Sequence, residues 1–505
     1  MHLSLNIDEI IQNIFGHVDK KGTLFRLAVV CRAWSEPAND ALWARLEGLR
    51  PLICCLPQHV IAESEIMYGA LTIVQAPSEG EWERFDENAR RVKHLLVDDS
   101  RLFSVDHAAM EVLRKHHADP ILPNLTYLEW HGGRIAQHIH LFVRPSLLSF
   151  VFTAHGVESA RAVLEQVETH APQLHELRVI SRGHTMQVLR PDILRTTMSL
   201  QSLTDFDDAT MRLSADDLVC LSQLKHLRSA WITLDQTNAA AASRSDWGGF
   251  PGAAAMTITT NWDLDGPCSV SNLIPRISSS RLTSLTLSIS PPQSIARLQA
   301  DMSALGGFQR LEMFSLLGKV CNERWDGMTL DGVLLSHMSR ITTMKSFTIR
   351  NIPMVLPRNI IHDLSVAWTR LESFTAIQLN TLRPIVRLED LHLFSQHCLR
   401  LRTLSVYVRV ERGWTYELAN PLVPSSLRSL DLAYSPVSLP ANTPTAAYLA
   451  AVFPFAEISH VAIDVGDASF VFPEPFPGAE APSVFARVIE PKRELFRATT
   501  NAKSG

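Results

Sequence analysis

Histidines and glycines supply the densest clusters of chemistry-bearing residues in this chain. His131-Gly132-Gly133 has the composition of an oxyanion-hole loop, whose backbone N–H groups would stabilise charge developing during acyl transfer. That chemistry also needs a nucleophile on a sharp strand-to-helix turn, and the sequence has no Gly-x-Ser-x-Gly elbow. The triplet therefore reads as a turn after a strand. His116-His117 and His138-x-His140 have metal-like composition, but no cysteine pair or carboxylate-bearing helix accompanies them. They read as surface histidines, and no metal or other cofactor is expected. Neither a Gly-x-x-x-x-Gly-Lys-Ser/Thr loop nor a Gly-x-Gly-x-x-Gly turn is present to cradle phosphate.

The remaining composition narrows the classes further. Forty-seven basic and 52 acidic residues give a net charge of −5, which leaves no electrostatic footprint for nucleic acid. The seven cysteines are Cys31, Cys54, Cys55, Cys220, Cys268, Cys321 and Cys398, an odd number without a Cys-x-x-Cys pair. That usage suits free thiols in a reducing compartment, cytoplasm or nucleus. No apolar run approaches the length of a transmembrane helix, and MHLSLNIDEI lacks the basic start and apolar core of a signal peptide. No catalysis is expected, so the question becomes which elements could bind a partner.

Residues 5–46 read as three helices. Ile7, Ile10, Ile11, Ile14, Phe15 and Val18 form the apolar stripe of an amphipathic helix, with Asn6 placed as its N-cap and Glu9 three residues on. Asp19-Lys20-Lys21-Gly22 reads as a turn, after which Thr23 could cap a helix carrying Leu24, Leu27, Ala28 and Cys31. A third helix is expected from about Ser35 to Leu46, with Pro37 in its first turn. So short a segment holds more large apolar groups than three short helices can hide, and it needs a partner.

At these residues the chain resembles an F-box. The family's pattern appears as Leu5, Ile10, Ile14-Phe15, Leu27, Val30-Cys31-Arg32, Trp34 and Leu42-Trp43, with Asn6 where the family has proline. The resemblance implies docking on a Skp-family adaptor, and through it on a cullin, by Leu5, Ile10, Ile14, Phe15, Leu27, Val30, Trp34, Leu42 and Trp43.

From residue 92 a second pattern recurs: apolar, two others, apolar, one other, apolar. Clear cases start at Leu125, Leu174, Leu282, Leu311, Met344, Leu401 and Leu427, and weaker ones at Val92, Leu147, Leu200, Leu227, Ala253, Leu371 and Ile458. The fourteen starts lie about 28 residues apart, inside the leucine-rich-repeat range. The alternating end of each pattern is a short strand, and the stretch between strands suits a helix. The expected fold class is thus α/β: a leucine-rich-repeat solenoid, parallel strands on one face and helices on the other, preceded by a small three-helix F-box. These units resemble the irregular leucine-rich repeats behind F-boxes in the large mushroom-type fungal families. Four regions are expected: an F-box over 1–46, a helical linker over 47–91 with Glu79–Arg91 solvated, the solenoid over 92–472, and a Pro-containing tail over 473–505. Residues 235–252 read as a surface loop.

In such a solenoid the variable strand positions share the concave face. Tyr127, Glu129, Arg178, Trp231, Arg350 and Tyr407 are the candidates there for binding a target protein, with the aromatics as natural hot spots. Together the two halves point to a non-catalytic, substrate-recognising subunit of a Skp–cullin–F-box ubiquitin ligase. The alternative is a repeat scaffold that binds the adaptor without driving ubiquitylation. No nucleic-acid or membrane partner is expected, and the sequence does not name the target.

Overall fold

The computed structural model describes residues 8–63, 69–98, 105–117, 120–133, 135–181, 184–234, 249–260, 277, 280–289, 302–318, 332–377, 385–409, 425–437 and 443–463. Leu5, the Asn6 cap, the 473–505 tail and most of the 235–252 loop lie outside them. The chain divides into two compact units, residues 1–213 with 220–232, and 214–219 with 233–505.

The first unit begins with α1 (Asp8–Gly16), α2 (Lys21–Ala28) and α3 (Arg32–Trp43). Their core is Ile11, Phe15, Leu24 and Ala38, against which Val18, Leu27, Ala28, Trp34, Ala41 and Leu42 pack half-buried. Phe15 meets Trp34 edge-on at 5.8 Å. Two helix starts differ from expectation. The second helix begins before Thr23, with Lys20 at the N-cap and no side-chain cap. The third begins at Arg32 and takes Pro37 into its interior, and Leu46 belongs to a strand instead.

That strand, β1 (Arg45–Glu47), pairs in parallel with β4 (His94–Val97), which comes 49 residues later in register. Gly48, at φ +108°, supplies the left-handed turn that ends β1. The connection was expected to be helical and in part solvated. It instead holds α4 (Arg50–Ile53), an antiparallel pair β2 (Ile61–Glu63) and β3 (Leu71–Ile73), and α5 (Glu83–Ala89). Trp82 and Phe85 within the supposedly solvated stretch are fully buried, because a Ser78–Glu81 capping box starts a turn whose apolar side faces the core.

The strands then recur: β5 (Tyr127–Trp130), β6 (Ser149–Ala154), β7 (Glu176–Ser181), β8 (Asp205–Leu213) and β9 (Ser229–Leu234). Between them run α6 (His107–His116), α7 (Val157–His170), α8 (His184–Ser199) and α9 (Ala215–Ser222), with a 3-10 turn over Ala136–Leu141. The parallel register aligns Leu95, Leu128, Phe150, Leu177 and Phe206 in one row, all fully buried. The pattern's first position (Val92, Leu125, Leu147, Leu174) is buried just before each strand. In the β8 unit Leu203, not Leu200, holds that place, since Leu177 aligns with Phe206.

The second unit repeats the arrangement with β10 (Ala255–Thr260), β11 (Ser284–Ile289), β12 (Met313–Gly318), β13 (Ser346–Arg350) and β14 (Ser373–Ile377). A short parallel pair, β15 (Val386–Arg387) and β17 (Val408–Arg409), flanks β16 (Thr403–Val406), and β18 (Ser429–Val437) and β19 (Glu457–Ile463) follow. The inward row here is Met256, Leu285, Phe314, Phe347, Phe374, Leu404 and Leu430. Phe347 lies 5.8 Å from Phe314, 5.4 Å from Phe374 and 4.8 Å from Trp368. Ile458 aligns with Leu430 and so holds the pattern's second apolar position, not its first.

Strand entry is held by the same hydrogen bonds in unit after unit. The Lys93 carbonyl accepts from both Thr126 N–H and Tyr127 N–H, and the Thr283 carbonyl from Glu312 and Met313. The Arg402 carbonyl takes the N–H groups of Arg428 and Ser429 in the same way. One acceptor thus satisfies two donors where the chain turns into each strand, which locks the register of its neighbour. The expected α/β class, one parallel strand per unit with helices in the connections, is what the two units show. Among the described residues the sheet strands number seven in the first unit and eight in the second.

Candidate partner-binding surfaces

Thirteen large apolar side chains are exposed among the described residues, and five of them fall between Ile10 and Val30. Ile10 (38%) and Ile14 (45%) stand one turn apart on α1, beside the inward pair Ile11 and Phe15. Phe25 (61%) and Val29 (71%) are one turn apart along α2 and its C-cap, and Val30 (56%) follows. Each helix therefore carries two apolar stripes, one satisfied within the module and one facing water. Exposing so many large apolar groups in so few residues marks an interaction surface.

The structure divides the expected adaptor contacts into two groups. Ile10, Ile14 and Val30 are exposed. Phe15 is a correction: at 5% exposure it belongs to the module's own core and offers no surface. Leu27, Trp34 and Leu42 pack half-buried against that core, and Trp43 is half-buried too. The physical reason is helix geometry, since residues one apart on a helix lie about 100° apart and Phe15 follows an outward Ile14. Phe25 and Val29 were missed. Their signal was present as apolar residues at i and i+4, but the expected stripe ran through Leu24, Leu27, Ala28 and Cys31.

The module is clasped to the rest of its unit by Arg91. Its guanidinium, 12% exposed, pairs with Glu36 (2.8 Å) and Asp40 on α3 and with Glu87 (3.0 Å) on α5. Burial works against its charge, and the hydrogen bonds to Glu36, Glu87 and Asp40 more than offset this, so it is held firmly protonated. A cleft of about 550 Å³ opens beside this clasp, lined by Gln12, Pro37, Asp40, Arg91, Lys93 and Asn124 among others.

On the strands of the first unit the outward residues engage one another. Tyr127 Oη donates to Glu129 (3.2 Å), the other Glu129 oxygen meets His131 Nε2 (2.7 Å), and His131 Nδ1 meets the Thr153 hydroxyl (2.6 Å). Burial, with the Glu129 charge adding, pushes the Tyr127 phenol up to about 12. Arg178 is exposed and pairs with Asp207 at 3.0 Å. Burial raises the Asp207 carboxyl, with Arg178 opposing. Trp231 is half-buried and Arg350 exposed at the end of β13. Tyr407 is a correction. It is 3% exposed, and its backbone carbonyl accepts from Ile385 and Val386 N–H, which pins the chain here to the β15 segment instead of leaving it on an open face.

The histidine clusters resolve differently from one another. His131-Gly132-Gly133 is a turn: Trp130 Nε1 donates to the Gly132 carbonyl at 3.0 Å, and Gly133 N–H returns to the His131 carbonyl. His116 stacks on Trp82 at 4.1 Å and His117 packs on Phe85, so this pair serves aromatic packing. His138, expected at the surface, is buried. The described cysteines, Cys31, Cys54, Cys55, Cys220 and Cys398, are free thiols. No helix among the described residues is long and apolar enough to cross a membrane.

Comparison with known proteins adds one domain assignment. Residues 8–47 match the F-box-like family model, so the three helices and β1 form an F-box-like domain. No curated protein matches the chain. Solved structures match at low identity. The complex of Rad7 and Elc1 from yeast has 12% identity and a TM-score of 0.40, covering 83% of this chain and 92% of that one. An internalin from Listeria monocytogenes has 12% identity and a TM-score of 0.33, covering 65% and 85%. TLR13 bound to ssRNA13 has 14% identity and a TM-score of 0.32, covering 68% and 57%. At these scores the likenesses carry no functional argument.

Proposed function

We propose that this chain is a substrate-recruiting subunit of a Skp–cullin–F-box ubiquitin ligase, working in the cytoplasm or nucleus. The observation that carries the reading is a coincidence of place. The F-box-like match spans 8–47, and the densest set of exposed large apolar groups among the described residues lies within it. In this reading Ile10, Ile14, Phe25, Val29 and Val30 touch a Skp-family adaptor. Phe15, Leu27, Trp34, Leu42 and Trp43 hold the helices that present them, and Leu5 completes the contact ahead of α1. Burying side chains of this size contributes roughly 1.5–3 kcal/mol each before the cost of association.

The strand units hold a protein to be ubiquitylated, through outward positions such as Tyr127, Glu129, Arg178, Trp231 and Arg350. No side chain of this subunit carries out the chemistry. It raises the effective concentration of a target lysine near a charged conjugating enzyme, which is catalysis by proximity. The scaffold alternative shares the adaptor contact and lacks turnover.

Co-expression of the full chain with a Skp-family adaptor tests the first half. Ile14→Asp and Val29→Asp are expected to abolish co-purification while the circular-dichroism spectrum stays unchanged. Retained binding in both would sink the assignment. Accumulation of a specific bound protein when residues 8–47 are inactivated by these substitutions separates ligase from scaffold.

A further inference from the structure

Among the described residues, three side chains with metal-ligand chemistry come together from two elements. His107 and Glu111 lie one turn apart on α6, and His138 lies on the 3-10 turn after β5. Each offers one ligand atom, and the three atoms are within 4.8 Å of one another. Residues at i and i+4 share a helix face, so His107 and Glu111 converge without strain.

The independent observation is His138 itself. The residue is 1% exposed, and its Nδ1 is buried with no hydrogen-bond partner. A buried orphan of this kind is costly and rare, and it calls for a ligand or an ion. It faces Oε1 of Glu111 at 3.8 Å, beyond hydrogen-bond reach. Two atoms each about 2.0–2.2 Å from one tetrahedral zinc sit roughly 3.4 Å apart, so the observed gap is close to a shared-ion spacing.

The surroundings suit this use. Arg114 binds Oε2 of Glu111 at 2.8 Å, which orients the carboxylate and leaves Oε1 toward His138. The Gln137 side-chain nitrogen lies against His107 Nε2 and 3.3 Å from His138 Nε2, and turning this amide over would present its oxygen to the Nε2–H that His138 carries when Nδ1 binds a metal. Bringing the three atoms to zinc distance takes rotation of His107, which is exposed, and Glu111, which is half-exposed.

We propose that His107, Glu111 and His138 bind one Zn²⁺ through two nitrogens and one oxygen, with a fourth position open to water. The ligand set matches the borderline character of zinc, which takes imidazole and carboxylate together. The ion ties α6, which precedes β5, to the Ala136–Leu141 turn that follows it. The sequence hid this site because its third ligand comes 27 residues after the second, from an element of different type.

The test uses the full-length protein, stripped with a chelator, then titrated with Zn²⁺ by calorimetry and with Co²⁺ by visible absorption. Binding is expected to weaken by at least about ten-fold in both His107→Ala and Glu111→Gln. His107 is exposed, so the metal-free thermal midpoint of His107→Ala should match that of the parent. His107→Cys is expected to keep the site and add a thiolate-to-cobalt charge-transfer band. Equal affinity and stoichiometry in the parent, His107→Ala and Glu111→Gln would overturn the proposal, as would loss in only one of the two or no binding at all.

Discussion

In α1, Ile10 and Ile14 face water one position away from Ile11 and Phe15, which face the module's core. In β11 to β13 the alternation is regular. Leu285, Phe314 and Phe347 are buried in one row, and the outward row beside it is Thr286, Ser315 and Thr348. The helical module thus concentrates its exposed apolar side chains, whereas those of the strand units are scattered, as at Met313, Val355 and Leu399. The reason is geometric. A strand sends alternate residues to opposite faces, so two apolar rows of one face are fully used by the core. A short helix has more apolar circumference than one neighbouring helix pair can cover. The lesson is that the module is the place where burial is left incomplete, whereas the outward strand residues already have polar partners, such as Arg178 with Asp207.

The contrast can be broken at its strong end first. Phe347→Ala should cost about 3–5 kcal/mol of stability, read by chemical denaturation, because a fully buried ring in contact with three others leaves a cavity. Phe374→Ala should behave alike, while Thr348→Ala, one position along β13, should change stability little. If Thr348→Ala cost as much as Phe347→Ala, the division into inward and outward rows would be wrong.

Next is the clasp. Arg91→Leu leaves Glu36, Asp40 and Glu87 without their shared cation and should destabilise the first unit by about 2 kcal/mol, between surface and buried ion-pair values. The loss should shrink in high salt. Limited proteolysis would show cleavage near residues 44–50 rising ahead of the rest.

Ile14→Asp should sharpen the comparison from the other side. Substituting an already exposed side chain should shift the unfolding midpoint by less than about 0.5 kcal/mol, whereas Ile11→Asp should unfold the module. Similar stability losses in the two variants would mean that the outward stripe is covered within the chain.

The smallest effect concerns pH. Burial raises Asp207, so its folded value lies above the unfolded one near 3.8. A raised carboxyl favours folding while protonated, and that contribution is lost as pH rises through its folded value. Asp207→Asn should therefore flatten the stability profile just above pH 4, by well under about 1 kcal/mol. An unchanged slope between parent and variant would show that Arg178 fully compensates the burial.

Much of the fold was legible. Twelve of the fourteen pattern starts lead directly into strands, Leu200 and Ile458 being the exceptions, since two inward residues and a buried lead-in leave a strong periodic trace. The errors have local causes. Leu200 and Leu203 are both buried apolar residues three apart, and only pairing with Leu177 through Phe206 decides which leads the strand. The missed strand β1 has three residues and a single inward side chain, Leu46, too little for a periodic signal. Of the residues that the F-box resemblance implied, Ile10, Ile14 and Val30 are exposed and Phe15 is buried; Tyr407, read as an exposed aromatic, is buried as well, and the exposed Phe25 and Val29 were not among the candidates.

The sequence alone determined the unit length, the inward rows and the apolar excess of residues 5–46, because periodicity and apolar content are properties of the chain order. Only the tertiary structure decided which of two neighbouring apolar residues faces out, that Glu79–Arg91 is packed and clasped, and that His138 is buried beside Glu111. Those outcomes depend on what a distant segment covers, and nothing within a few residues of each position encodes that cover.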